Sequence, residues 1–176
     1  MRTALSIAGV AIFVLTAAGT ALAQGSGAEA RLKQLNITLP ADQAPAANFV
    51  NAVQAGKLLF LSGNTPGGQW PLKGKVGKDL TIEQGYESAR QTGLIMLGKI
   101  KTALGSLDRV KRVVKVLGMV NSADGFSDQP KVVNGFSDLM VEVFGETVGK
   151  HARSAVGMAG LPGNAPLEVE MIVEVE

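Results

Sequence analysis

The chain has 176 residues, 46% of them apolar, and a formal net charge of +2 at pH 7. It contains no cysteine and one histidine, which excludes disulfides, thiol chemistry and the His/Cys clusters that ligate zinc. The 17 basic and 15 acidic side chains are too evenly balanced for a protein that binds nucleic acid by neutralising phosphates.

Residues 1–23 read as an export leader. Arg2 gives a basic start, Ala4 to Ala18 is an uncharged apolar run, and Ala21-Leu22-Ala23 is a small-x-small cleavage site ahead of Gln24. The run is shorter than the ~20 residues of a membrane-spanning helix, and no cysteine stands at the cut for lipid attachment. The expectation is a periplasmic or secreted protein with no membrane attachment after cleavage. The mature chain then has 153 residues and, with Arg2 gone, a charge of +1. A domain of that size builds one core. Without disulfides, its stability rests on packing and on association between subunits.

Residues 24–47 form a lead-in: a small, polar start, a short helix over Glu29 to Leu35, and a Pro/Ala-rich loop from Pro40 to Ala47. The domain proper is expected over 48–176. Two strands come first, Asn48 to Gln54 and Lys57 to Ser62, joined at Ala55-Gly56. The continuous apolar run Lys57-Leu58-Leu59-Phe60-Leu61 predicts burial on both faces. Gly63 to Gly77, rich in glycine and proline, is a long loop. Thr81 then caps a helix whose apolar face is Ile82, Tyr86, Ala89, Gly93, Leu97, Ile100 and Leu104, and Gly105 ends it. A strand over Val110 to Val120 carries Lys111, Arg112 and Lys115 toward its start. A second helix runs from about Pro130 to Phe144 with Val133, Phe136, Met140 and Val143 on one side, stopped by Gly145. Ala152 to Ala159 and Leu167 to Val175 are the last strands. This order specifies an α+β fold, a sheet with two helices packed on one face. The opposite face is left uncovered and calls for another subunit.

Three features carry candidate chemistry. Arg153 stands in an apolar strand beside Ser154, and a partly buried guanidinium needs an anion. That anion is either an internal acid or a ligand carboxylate gripped bidentately. Glu168 and Glu170 share one face of their strand, as a solvated edge or as a carboxylate turned into a cleft. If the last two strands made a tight hairpin, Arg153 would lie about five residues, or ~16 Å, from Glu168 along the sheet. The pair therefore meets only if these strands are not neighbours or if it spans a subunit interface. Ser62-Gly63-Asn64 ends a strand, either as a plain turn or as a place where a serine bonds a ligand and a glycine lets backbone approach it. His151 is a group titrating near neutrality or an incidental exposed side chain. No phosphate-cradling GxxxxGK[ST] motif is present.

Together these residues resemble the RidA (YjgF, endoribonuclease L-PSP) family. The resemblance rests on Ala152-Arg153-Ser154, Leu161-Pro162, Glu168-Val169-Glu170, Leu61-Ser62-Gly63 and Val133-Asn134-Gly135, and it covers about Asn48 to Glu176. It implies a chorismate-mutase-like fold and a homotrimer with clefts between subunits. The implied activity is hydrolysis of enamine and imine acids such as 2-aminoacrylate to 2-oxo acids and ammonia, with no cofactor or metal. Carried over, Arg153 holds the substrate carboxylate and Glu168 orients or activates water. Ser62, Gly63, Asn134 and Ala155 line the site. Phe49 stands where the archetypal branch has a tyrosine, so a phenol hydroxyl is lost. The chemistry suits the chain, because an iminium carbon is already electrophilic and needs little beyond orientation and a water. A glutamate in an apolar cleft has a raised pKa and can exchange a proton near neutrality. Two other readings exist: a non-catalytic binder of small carboxylates, which keeps Arg153 and does not need Glu168, and the ribonuclease of the family label, which the near-neutral charge disfavours.

Overall fold

In the computed structural model, which describes residues 27–45 and 47–176, these periodicities become three helices and five strands. The helices are α1 (Ala28–Gln34), α2 (Ile82–Leu104) and α3 (Gln129–Gly149). The strands are β1 (Ala52–Ala55), β2 (Leu58–Asn64), β3 (Val110–Asn121), β4 (Ala152–Met158) and β5 (Leu167–Val175). The leader expected over residues 1–23 lies outside the described residues.

Local chemistry sets the helix ends. The Thr81 hydroxyl accepts from the Gln84 N–H at 3.2 Å, and the Gln84 amide oxygen accepts from the Thr81 N–H at 2.9 Å. This capping box satisfies two orphan donors at once and starts α2. Gly105, left-handed at φ 81, ends it. Gly145 is only a kink: at φ 78, ψ 170 it breaks the helical path, which then continues to Gly149. The expectation that it stops the helix is thus corrected.

The strands form one sheet in the order β1-β2-β5-β3-β4. Neighbours are antiparallel except β3 and β4, which are parallel and joined by α3 as the crossover. Both long helices cover one face. Val113, Val116 and Val120 of β3 and Val169, Met171 and Val173 of β5 are buried there beneath Leu97 and Ile100 of α2 and Phe136, Leu139 and Met140 of α3. α1 sends Ala28 and Leu32 into the same core. At Gly135 the two helices touch so closely that a Cβ would collide with the Tyr86 carbonyl oxygen.

The other face is bare. Row by row it presents Val53, Phe60, Ile172 and Lys115; then Glu170, Leu117 and Ser154; then Glu168, Met119 and Val156. Val53 is 55% exposed, and Phe60 and Val156 are each 41% exposed. This corrects the reading of Lys57 to Leu61 as buried on both faces. Leu59 and Leu61 are buried and Phe60 is not, the alternation of an antiparallel sheet with one covered face.

Candidate functional site

Arg153 pairs with the buried Val116 across the parallel β3–β4 ladder, so its side chain points to the helix face. There α3 receives it. One terminal nitrogen, Nη1, donates to Asn134 Oδ1 at 2.9 Å and to Ser137 Oγ at 3.0 Å. Nη2 lies 3.5 Å from the Pro130 carbonyl oxygen. All three partners are neutral, and none of the ion pairs among the described residues includes Arg153. The internal-acid alternative is therefore not what the fold provides. With both Nη1 protons engaged, the Nε–Nη2 edge of the guanidinium is the one that can take a carboxylate side-on.

His151 is half-buried behind this group, so of its two readings the incidental exposed side chain is not the one the fold provides. Its Nδ1 lies 2.7 Å from the Gly149 carbonyl oxygen and its Nε2 lies 3.1 Å from Ser137 Oγ. Burial holds the imidazole below its usual pKa, aided by the Arg153 charge and opposed by the bond to Gly149. Ser137 is a site residue that the sequence motifs do not single out, although it stands one helical turn from Asn134 and shares its face.

Glu168 belongs to a different place. It pairs with Met119, and its neighbours Val169 and Met171 are the buried ones, so it points to the bare face. Burial, then the Glu170 charge, raises its pKa above the ordinary 4.5. Gly63 packs against it: a Cβ there would run into Glu168 Oε1 and come within 3.1 Å of its Cδ. The close approach expected of this glycine is real, and what approaches is the glutamate. The Ser62 hydroxyl donates to the Val50 carbonyl oxygen at 2.6 Å, which ties the end of β2 to the segment before β1. Phe49 stands in that segment, 56% exposed.

The site residues thus fall into two groups. Arg153, Asn134 and Ala155 lie at the β4 edge, on the helix side or beside it. Glu168, Gly63, Ser62 and Phe49 lie toward the β1–β2 side. Strands β4 and β5 are not neighbours, because β3 runs between them. Arg153 and Glu168 point to opposite faces, so no single chain brings them together.

Gly63→Ala is expected to keep the fold and displace the Glu168 carboxylate. Thermal melting should stay close to wild type, and the Glu168 carboxyl resonance should move; an unmoved resonance would show that the glycine does not set the position of the glutamate.

Residues 29–175 match the family model described as "YjgF/chorismate_mutase-like, putative endoribonuclease". Protein TCP17 of Trypanosoma cruzi is 48% identical over 149 residues, which cover 82% of this chain and 92% of that protein. A crystal structure of a protein of unknown function from Agrobacterium tumefaciens is 40% identical with a TM-score of 0.75, covering 84% of this chain and 91% of that one. A crystal structure from Shewanella oneidensis, described as a "putative endoribonuclease", is 30% identical with a TM-score of 0.80, covering 85% and 99%. With the α+β architecture and the extent of this match, the chain belongs to the YjgF/endoribonuclease L-PSP family, the Rid proteins.

Proposed function

We propose that the protein hydrolyses small enamine and imine acids to 2-oxo acids and ammonia, without a cofactor, in clefts between the subunits of a homotrimer. The observation that carries this reading is the Arg153 guanidinium. It is braced by neutral acceptors, it is paired with no carboxylate among the described residues, and one edge suits a substrate carboxylate. A carboxylate held there is oriented for attack at the adjacent C=N carbon. Water adds to that carbon, the carbinolamine collapses, and ammonia leaves. Glu168, with its raised pKa, is suited to take a proton from the water and return it to the leaving nitrogen.

A second copy of the chain supplies what one chain lacks. The bare sheet face carries Phe60, Val53 and Val156 beside a groove of about 390 Å³ lined by Leu117, Ser154 and Glu170. Covering that face buries apolar surface and sets the Glu168 side of one subunit against a neighbour. Light scattering at micromolar concentration is expected to give a trimer mass; a monomer would count against both the assembly and the shared cleft.

Carboxylate binding without turnover is the second reading. It is favoured by Phe49, which offers no hydroxyl, and by Ser62, whose hydroxyl is engaged by Val50. Steady-state assay with 2-aminoacrylate or a related imine separates the two. The ribonuclease name of the family and of the Shewanella relative has weaker support here, given a net charge of +2.

Export belongs to the same proposal. Intact mass after native expression is expected to show a chain starting at or near Gln24, and a retained Met1–Ala23 segment would refute it.

A further inference from the structure

We infer that His151, acting through Ser137, is a positioning residue that holds the Arg153 guanidinium in place for its ligand. The inference rests on the carboxylate-binding role proposed for Arg153.

The hydrogen-bond directions follow from elementary chemistry. A backbone carbonyl oxygen can only accept, so the 2.7 Å contact between His151 Nδ1 and Gly149 places the ring proton on Nδ1. In the neutral ring, Nε2 is then an acceptor. The partner 3.1 Å away is the Ser137 hydroxyl, which must donate its one proton there. With that proton committed, Ser137 Oγ turns its lone pairs to Arg153 Nη1 at 3.0 Å. Donation to the imidazole also polarises the hydroxyl and makes it a better acceptor for a cation. A serine free to rotate would have no such preference. The chain Gly149–His151–Ser137–Arg153 runs from the end of α3 to the start of β4 and fixes one side of the guanidinium plane. Asn134 fixes the other Nη1 proton. Among the neighbouring charges, Lys150 pairs with Glu146 at the surface, and Arg153 is the cation that acts on the ring.

His151 is the one histidine in the chain, so the imidazole nitrogen spectrum of the protein contains a single ring. The Nδ1–H tautomer is expected in the 15N–1H spectrum of the assembled protein near pH 7.5. An Nε2–H tautomer would overturn the inference, because Ser137 could then not donate into the ring.

The functional arm uses 2-oxobutanoate as the probe in calorimetry and an imine substrate in steady-state assay. His151→Phe and Ser137→Ala are both expected to weaken 2-oxobutanoate about tenfold, the lower end of what a hydrogen bond to a charged group is worth. KM should rise more than kcat falls. Ser137→Thr, which keeps the hydroxyl, should recover most of the loss, and this rescue separates positioning from general damage. Ser137→Ala keeps the test open if His151→Phe does not fold. If both variants bind the probe like wild type while Arg153→Ala does not bind it, the positioning role is wrong and the carboxylate role stands. If Arg153→Ala binds like wild type, the carboxylate role fails. The positioning claim is then decided by the Arg153 Nε–H resonance, which should shift in both Ser137→Ala and His151→Phe and would overturn the claim by staying in place.

Discussion

Arg153→Ala is expected to abolish binding of small carboxylates while leaving the fold intact. The fold should survive because the residue has no ion pair to lose among the described residues, only hydrogen bonds to neutral partners on α3. The bonds to Asn134 and Ser137 join a charged donor to neutral acceptors and are each worth about 1.5–3 kcal/mol. Ligand binding depends on the charge itself. Truncating one partner of a desolvated, hydrogen-bonded charge pair costs about 2–5 kcal/mol, so affinity for 2-oxo acids should fall on the order of 10²–10³-fold in calorimetry. Arg153→Lys is a poor rescue, because an ammonium cannot donate to Asn134 and Ser137 and still present a planar fork to a carboxylate. If Arg153→Ala binds 2-oxo acids as wild type does, the guanidinium is a structural tie between β4 and α3.

Glu168→Gln should leave 2-oxo acid binding nearly unchanged and lower imine turnover on the order of 10²–10⁴-fold, the usual worth of a general acid–base. The amide keeps the shape beside Gly63 but exchanges no proton. Glu170→Gln should do much less, since Glu168 and not Glu170 is the carboxylate that Gly63 packs against. The reverse result would move the role to Glu170. The same variant has a signature in pH-dependent stability. The folded pKa of Glu168 is raised above its ordinary 4.5 by burial and by Glu170. Its contribution is therefore complete below the ordinary value and lost as pH rises through the raised one. Glu168→Gln removes that loss, so its melting temperature should decline less than that of wild type as pH rises from the ordinary 4.5 through the raised value.

Where a local signal existed, the sequence placed elements closely. Thr81 and Gly105 mark α2 because caps are local chemistry. The apolar faces of α2 and α3 follow from spacing alone, and all four residues named for α3 are buried. Arg153 stood out because its neighbours are apolar, and Gly63 because it follows a strand. What the residues could not give was the pairing order. That β3 inserts between β4 and β5 is a non-local outcome, and its registers with the two strands set Arg153 and Glu168 on opposite faces. The exposure of Phe60 is hidden for a related reason: an apolar run does not say which of its side chains await a partner. The role of His151 is not legible in the sequence, because its partners, Ser137 and the Gly149 carbonyl, come together only when α3 turns back into β4.

The site is proposed to be shared, with Arg153 from one subunit and Glu168 from another. Subunit mixing tests it most directly. Arg153→Ala and Glu168→Gln homo-oligomers are each expected to be nearly inactive toward imines. Unfolded together and refolded as mixed oligomers, they should regain part of the wild-type turnover, because some clefts then combine an intact Arg153 with an intact Glu168. Mixed oligomers as inactive as their parents, with mixing confirmed by mass, would contradict a site built across subunits.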